Sequence, residues 1–171
     1  MSNIVLVGIP GSGKTTVGSL LSSALGVHFF DSDQVIEAKS GKTVPEIFTN
    51  DGEAAFRKLE AETVAELLQN DNEVIALGGG SLLNEQTRSL VKGNTVIWLT
   101  ATLAQTVNRV GLARNRPLLL GNVRGQLSTL MQDREPLYEE VASFKIDTTD
   151  LLPNQVVETI LAQLKVGEPE Q

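Results

Sequence analysis

The eight residues Gly8-Ile9-Pro10-Gly11-Ser12-Gly13-Lys14-Thr15 leave this chain little choice of how to begin folding. Their spacing, G-x-x-x-x-G-K-T, is that of a P-loop. Three glycines let successive N–H groups turn inward around a phosphate. The helix that follows aims its free N-terminal amides at the same point. Within this loop Gly11, Ser12, Gly13, Lys14, Thr15 and Thr16 are candidate nucleotide ligands. Lys14 is placed to reach the β- and γ-phosphates, and Thr15 to offer a hydroxyl to Mg²⁺. The context fits. The apolar run Ile4-Val5-Leu6-Val7 precedes the loop, and Val17, Leu20, Leu21, Ala24 and Leu25 follow with the period of an amphipathic helix. A nucleoside triphosphate site with Mg²⁺ follows from these residues.

That start commits the rest of the chain to a parallel α/β sheet. Strands are expected at 4–7, 27–30, 74–77, 95–99 and 144–147. Helices are expected from Val17 onward and at about 32–39, 44–48, 53–69, 102–110, 125–140 and from Pro153. Asn50-Asp51-Gly52 reads as a turn, and Pro136 as a kink or stop in its helix. The 171 residues are enough for one domain, with 41% apolar and 20% charged residues. No signal peptide, membrane span or cysteine is present, and one histidine makes a zinc site implausible. These points lead to a cytoplasmic protein. A net charge of −7 argues against a nucleic-acid partner. It also means that arginines clustered in a cleft would serve an anionic ligand.

Four features remain to be placed. Asp31-Ser32-Asp33 closes the second strand, where ligands gather in open α/β sheets. The two carboxylates suit Mg²⁺-bound water or a substrate hydroxyl, and a helix cap is the plainer alternative. Gly78-Gly79-Gly80 follows the third strand and suggests a backbone approached closely by a ligand. No acidic residue ends that strand, which leaves Asp31 as the carboxylate nearest the metal. The segment 111–124, with Arg114 and Arg116, reads as a mobile flap able to close on a transferring phosphoryl group. Arg57 and Arg134 each read, on helical periodicity alone, as surface partners of neighbouring glutamates or aspartates. The residues support a small kinase with an anionic acceptor, and Asp33 could accept or orient the acceptor hydroxyl.

The constellation as a whole resembles shikimate kinase. The matching stretches are the P-loop, Phe30-Asp31-Ser32-Asp33, Ile47-Phe48, Asp51-Gly52-Glu53 and Phe56-Arg57. They continue with Leu77-Gly78-Gly79-Gly80, Arg116-Pro117-Leu118-Leu119 and Arg134-Glu135-Pro136-Leu137-Tyr138, and span about residues 3–165. The resemblance implies a three-layer α/β/α P-loop fold of the nucleoside monophosphate kinase kind, with a central five-stranded parallel sheet and a mobile lid. It implies a single domain over 1–171, with a shikimate-binding region at about 32–60, a lid at about 111–124 and a disordered tail from about 166. The implied reaction transfers the γ-phosphoryl of ATP to the 3-hydroxyl of shikimate, toward chorismate and the aromatic amino acids. By the same resemblance Asp33, Arg57, Gly78, Gly79, Gly80 and Arg134 hold shikimate, and the two arginines take its carboxylate. Lys14 and Arg116 neutralise the transferring group, with Asp33 the candidate base. Thr15 ligates Mg²⁺, Asp31 holds a metal-bound water, and Arg109 and Pro153 sandwich the adenine. Asp150-Leu151-Leu152 departs from the basic residue that members often carry before that proline. The expected enzyme is a monomer. Two rivals stand beside it: a gluconate kinase, and a nucleotide-binding regulator without turnover.

Overall fold

The computed structural model of the chain describes residues 2–112 and 122–167. Five strands form one parallel sheet: β1 (Ile4–Val7), β2 (Phe29–Asp31), β3 (Val74–Ala76), β4 (Thr95–Thr100) and β5 (Phe144–Asp147). Their order across the sheet is β2-β3-β1-β4-β5, so β1 lies at the centre between β3 and β4. The chain leaves β1 toward one edge and later returns past it toward the other. The carboxyl ends of the strands thus open onto a crevice where the direction of winding changes.

Strand alternation builds the two faces. Val5 and Val7 of β1, Ile75 of β3 and Val96 and Trp98 of β4 turn to one side. They pack there with residues of α4 (Glu53–Leu67), α5 (Glu85–Val91) and α7 (Val123–Val141). Leu6, Val74, Ala76, Ile97 and Leu99 turn to the other, against α1 (Lys14–Leu25) and α8 (Pro153–Val166). Every one of these strand residues is buried on its own face, which gives the continuous apolar runs of a sheet covered on both sides. Smaller elements complete the fold: α2 (Ser32–Ser40), α3 (Val44–Asp51) and α6 (Leu103–Leu112). Helices α2, α3 and α4 share their own small core of Ile36, Ile47 and Phe56.

Several boundaries differ from the sequence expectation, each for a local reason. The second strand begins at Phe29, where pairing with Val74 starts, and runs on to Asp31. Helix α3 continues through Asp51, and Gly52 ends it with its N–H on the Ile47 carbonyl. At its start Thr43 and Glu46 cap one another's amides in a capping box. A short 3₁₀ turn (Ser81–Leu83) and α5, which the sequence reading passed over, fill the stretch between β3 and β4. Pro136 does not end α7, which runs on to Val141. Pro136 is exposed, so the carbonyl left without its N–H partner is open to solvent. Asn122 caps α7 by accepting from the Gly125 N–H at 3.0 Å, so Arg124 belongs to a helix rather than to a flap. At the other end of the expected flap, 111 and 112 belong to α6. The remainder of that segment, 113–121 with Arg114 and Arg116, lies outside the described residues, as do 168–171 of the tail. Among the described residues no helix is long and apolar enough to cross a membrane.

Candidate active site

The phosphate loop is shaped by its glycines. Gly11 (φ 82°) and Gly13 (φ 91°) lie in the left-handed region. Gly13 is also the N-cap of α1 and makes no side-chain cap, so the first amides of that helix are open to an anion. The Lys14 ammonium lies across its own loop, donating to the Gly8 carbonyl at 2.8 Å and the Ile9 carbonyl at 2.9 Å. This anchors a positive charge over the amides. The loop floors a cleft of about 510 Å³ that also takes in Thr15, Thr16, Asp31 and Asp33. Its far end is formed by Arg109, Thr148, Leu151, Leu152 and Pro153. Arg109 donates to the Gly11 carbonyl at 3.2 Å, which ties α6 to the phosphate loop. Arg109 and Pro153 therefore share one cleft.

The Asp31 carboxylate is the helix cap that the sequence allowed, and it also meets Thr15. One carboxylate oxygen caps α2, accepting from the amides of Asp33 at 3.0 Å and Gln34 at 3.2 Å. The other accepts from the Thr15 hydroxyl at 2.6 Å. Two hard oxygen donors from different elements thus meet beside the phosphate loop, a set that fits Mg²⁺. Among the described residues no three His, Cys, Asp or Glu side chains converge as a metal cage. An ion here would take its remaining ligands from phosphate and water, which is how Mg²⁺ is commonly held.

A second cleft, of about 330 Å³, opens on the other side of Asp33. Pro10, Asp33, Phe48, Phe56, Arg57, Glu60, the glycine triplet and Arg134 line it. Asp33 borders both clefts. The glycine triplet owes its composition to the side chains pressed against it. A Cβ on Gly78 would lie 2.6 Å from an Asp33 carboxylate oxygen. On Gly79 it would meet Pro10 at 2.9 Å and the Arg134 guanidinium at 3.2 Å, and on Gly80 the Arg57 guanidinium at 2.3 Å. The close approach expected of a ligand is thus already made by the three charged side chains of the cleft.

Neither arginine is the surface residue that periodicity suggested. Arg134 is only 7% exposed. Arg57 lies near the rings of Phe48 and Phe56, 5.9 and 5.3 Å from their centroids. It donates to Glu60 at 2.8 Å and has Glu53 at 3.6 Å. Glu60 is 3% exposed. Burial holds its carboxyl above the ordinary glutamate value, while Arg57, Ser81 and Arg134 pull it down. Its charge offsets one of two neighbouring guanidinium groups and leaves the other for an anionic ligand.

Sequence reasoning missed Glu60, although a signal was there: it interrupts the buried stripe Phe56, Thr63, Val64, Leu67 of α4. It also missed Ser32, whose hydroxyl accepts from the Gly78 N–H at 2.9 Å, and Tyr138, whose hydroxyl donates to the Gly79 carbonyl at 2.6 Å. Burial pushes the Tyr138 phenol well above its usual range, so it is a committed donor.

The family model for shikimate kinase matches residues 10–165. A shikimate kinase of Thermobifida fusca is 48% identical over 160 residues, covering 94% of this chain and 93% of that one. A structure of shikimate kinase from Acinetobacter baumannii in complex with shikimate superposes with a TM-score of 0.96 at 37% identity, covering 99% of this chain and 96% of the other. A gluconokinase from Sinorhizobium meliloti, at 21% identity and a TM-score of 0.63 over 96% of this chain and 92% of its own, shares the fold alone.

Proposed function

The chain belongs to the shikimate kinase family, and from that premise we propose how its two clefts carry out the family's reaction. The protein transfers the γ-phosphoryl group of ATP to the 3-hydroxyl of shikimate, giving shikimate 3-phosphate and ADP, a step toward the aromatic amino acids. The larger cleft takes Mg-ATP and the smaller one takes shikimate. The observation that carries this division is the position of Asp33, which borders both.

In the nucleotide cleft the amides of Gly11 to Thr16 and the Lys14 ammonium hold the phosphates. Arg109 and Pro153 face the adenine. The Thr15 hydroxyl would hold Mg²⁺ directly and Asp31 would hold it through water. When bound, the ion neutralises charge on the phosphate oxygens. In the acceptor cleft Arg57 and Arg134 take the shikimate carboxylate, as planar guanidinium groups suit a carboxylate. The triplet Gly78 to Gly80 leaves room for both. Asp33 accepts from the acceptor hydroxyls and orients one toward the phosphate loop. Transfer forms a bond from that oxygen to the γ-phosphorus and breaks the bond to the ADP oxygen. The hydroxyl proton passes to Asp33 or to water. Arg116, outside the described residues, is assigned by its place in the sequence to the transferring group. The same reading has the enzyme working as a monomer in the cytoplasm, and sedimentation tests the first of these.

Coupled ADP-release assays with Mg-ATP and shikimate, gluconate or no acceptor test the reaction. Turnover is expected with shikimate alone. Arg134→Ala should raise the KM for shikimate about a hundredfold, from a buried charged contact of roughly 3 kcal/mol, and leave the KM for ATP near the parent value. Turnover with gluconate instead would displace the acceptor assignment.

A further inference from the structure

Resting on that reading of the acceptor cleft, we infer that Tyr138 is a positioning residue for shikimate, its hydroxyl fixing the Gly79-Gly80 peptide beside the Arg134 guanidinium. Tyr138 lies one turn beyond Arg134 on α7, at i, i+4, so the two side chains share a face. Both are buried, Tyr138 to 1% exposure. The Arg134 guanidinium lies against Gly79, where an added Cβ would meet it at 3.2 Å. The phenol in turn donates to the Gly79 carbonyl at 2.6 Å. Trp98 braces the ring from the sheet, with centroids 5.8 Å apart.

The consequence for the cleft follows from peptide geometry. All described peptide bonds are trans. The Gly80 N–H shares a peptide plane with the Gly79 carbonyl and points the opposite way. With the carbonyl turned toward α7 and the core, that N–H turns toward the cleft that Gly80 lines. Of the amides around it, Gly78 N–H is engaged with Ser32 at 2.9 Å and Ser81 N–H with the Gly78 carbonyl at 3.0 Å. One hydroxyl therefore sets the direction of a backbone donor that lies beside the Arg134 guanidinium and faces the acceptor. Tyr138 itself touches no reacting atom.

Tyr138→Phe keeps the ring and its contact with Trp98 and removes only the hydroxyl. The KM for shikimate should rise about tenfold, the weight of one buried hydrogen bond, with the KM for ATP and the kcat changed about twofold or less. A second readout uses the chain's one tyrosine. Growth on 3-fluorotyrosine places a single ¹⁹F label at this position, and its resonance should shift saturably with shikimate but not with Mg-ADP. Parent protein that fails to turn over shikimate would sink the functional reading itself. Parent turnover with an unchanged shikimate KM in Tyr138→Phe, or with both KM values raised alike, would overturn the positioning role. Should the variant not fold, the fluorine titration decides: a resonance indifferent to shikimate overturns the role.

Discussion

Gly80 has φ −101° and ψ 2°, a conformation open to any residue, and yet a Cβ there would lie 2.3 and 2.6 Å from the two terminal nitrogens of Arg57. What it excludes is the end of a flexible side chain, not backbone. Gly80→Ala should therefore fold with stability near the parent and bind shikimate at least about tenfold more weakly, since Arg57 must leave its place. Gly8 makes the contrast: a Cβ there would meet the Leu99 carbonyl at 2.7 Å, and neither backbone can step aside cheaply. Gly8→Ala should cost about 2 kcal/mol of stability. Urea melts paired with KM values for both substrates separate the two cases. A Gly80→Ala enzyme with normal shikimate KM would mean that Arg57 is not held where the acceptor needs it.

At the level of elements, Asp31 joins a strand end, a helix cap and the proposed metal site in one side chain. Asn at this position keeps an oxygen for the amides of Asp33 and Gln34 but loses the charge facing Thr15. Asp31→Asn should melt with the parent while requiring several-fold more Mg²⁺ for half-maximal rate. Asp31→Ala should in addition lose about 1 kcal/mol, the usual worth of an N-cap. Magnesium titrations of rate beside thermal melts check this, and equal stability of the two variants would show that the cap contributes nothing. Helix α7 is the other element that builds the site. It delivers Arg134 and Tyr138 on one buried face while Pro136, between them in sequence, faces out. The residues Arg134-Glu135-Pro136-Leu137-Tyr138 thus read as one device. Helical spacing puts the two polar groups inside, and the proline is tolerated because it points to water.

For the whole molecule, the buried acceptor cleft links stability to pH through Glu60. Burial raises its carboxyl above the ordinary 4.5, against the pull of Arg57. Between 4.5 and the raised folded value, the unfolded chain has released this proton while the folded chain still holds it. The folded state then binds more protons, and its stability falls as pH rises through the raised folded value. Below 4.5 the contribution is fully present. The stability of the parent relative to Glu60→Gln should decline with rising pH over that window, as measured by urea unfolding at stepped pH. A difference flat in pH would contradict it. The sheet, its parallel strands and the phosphate loop were legible in the chain, because they depend on local periodicity and on glycine spacing that repeat wherever this topology occurs. Asp31, Asp33 and the glycine triplet stood out by their place at strand ends, whereas Arg57 and Arg134 stood out only through resemblance to one family. Periodicity alone assigned both arginines to the surface, because it sees only which residues share a helix face and not what that face meets. Helix α5 stayed hidden behind the glycine triplet for a similar reason, its few apolar positions being too short a run to register. Only the tertiary structure decided that α4 and α7 converge on the end of β3. That convergence buries Glu60, Arg134 and Tyr138 and half-buries Arg57 against three glycines, and it depends on contacts between residues far apart in the chain.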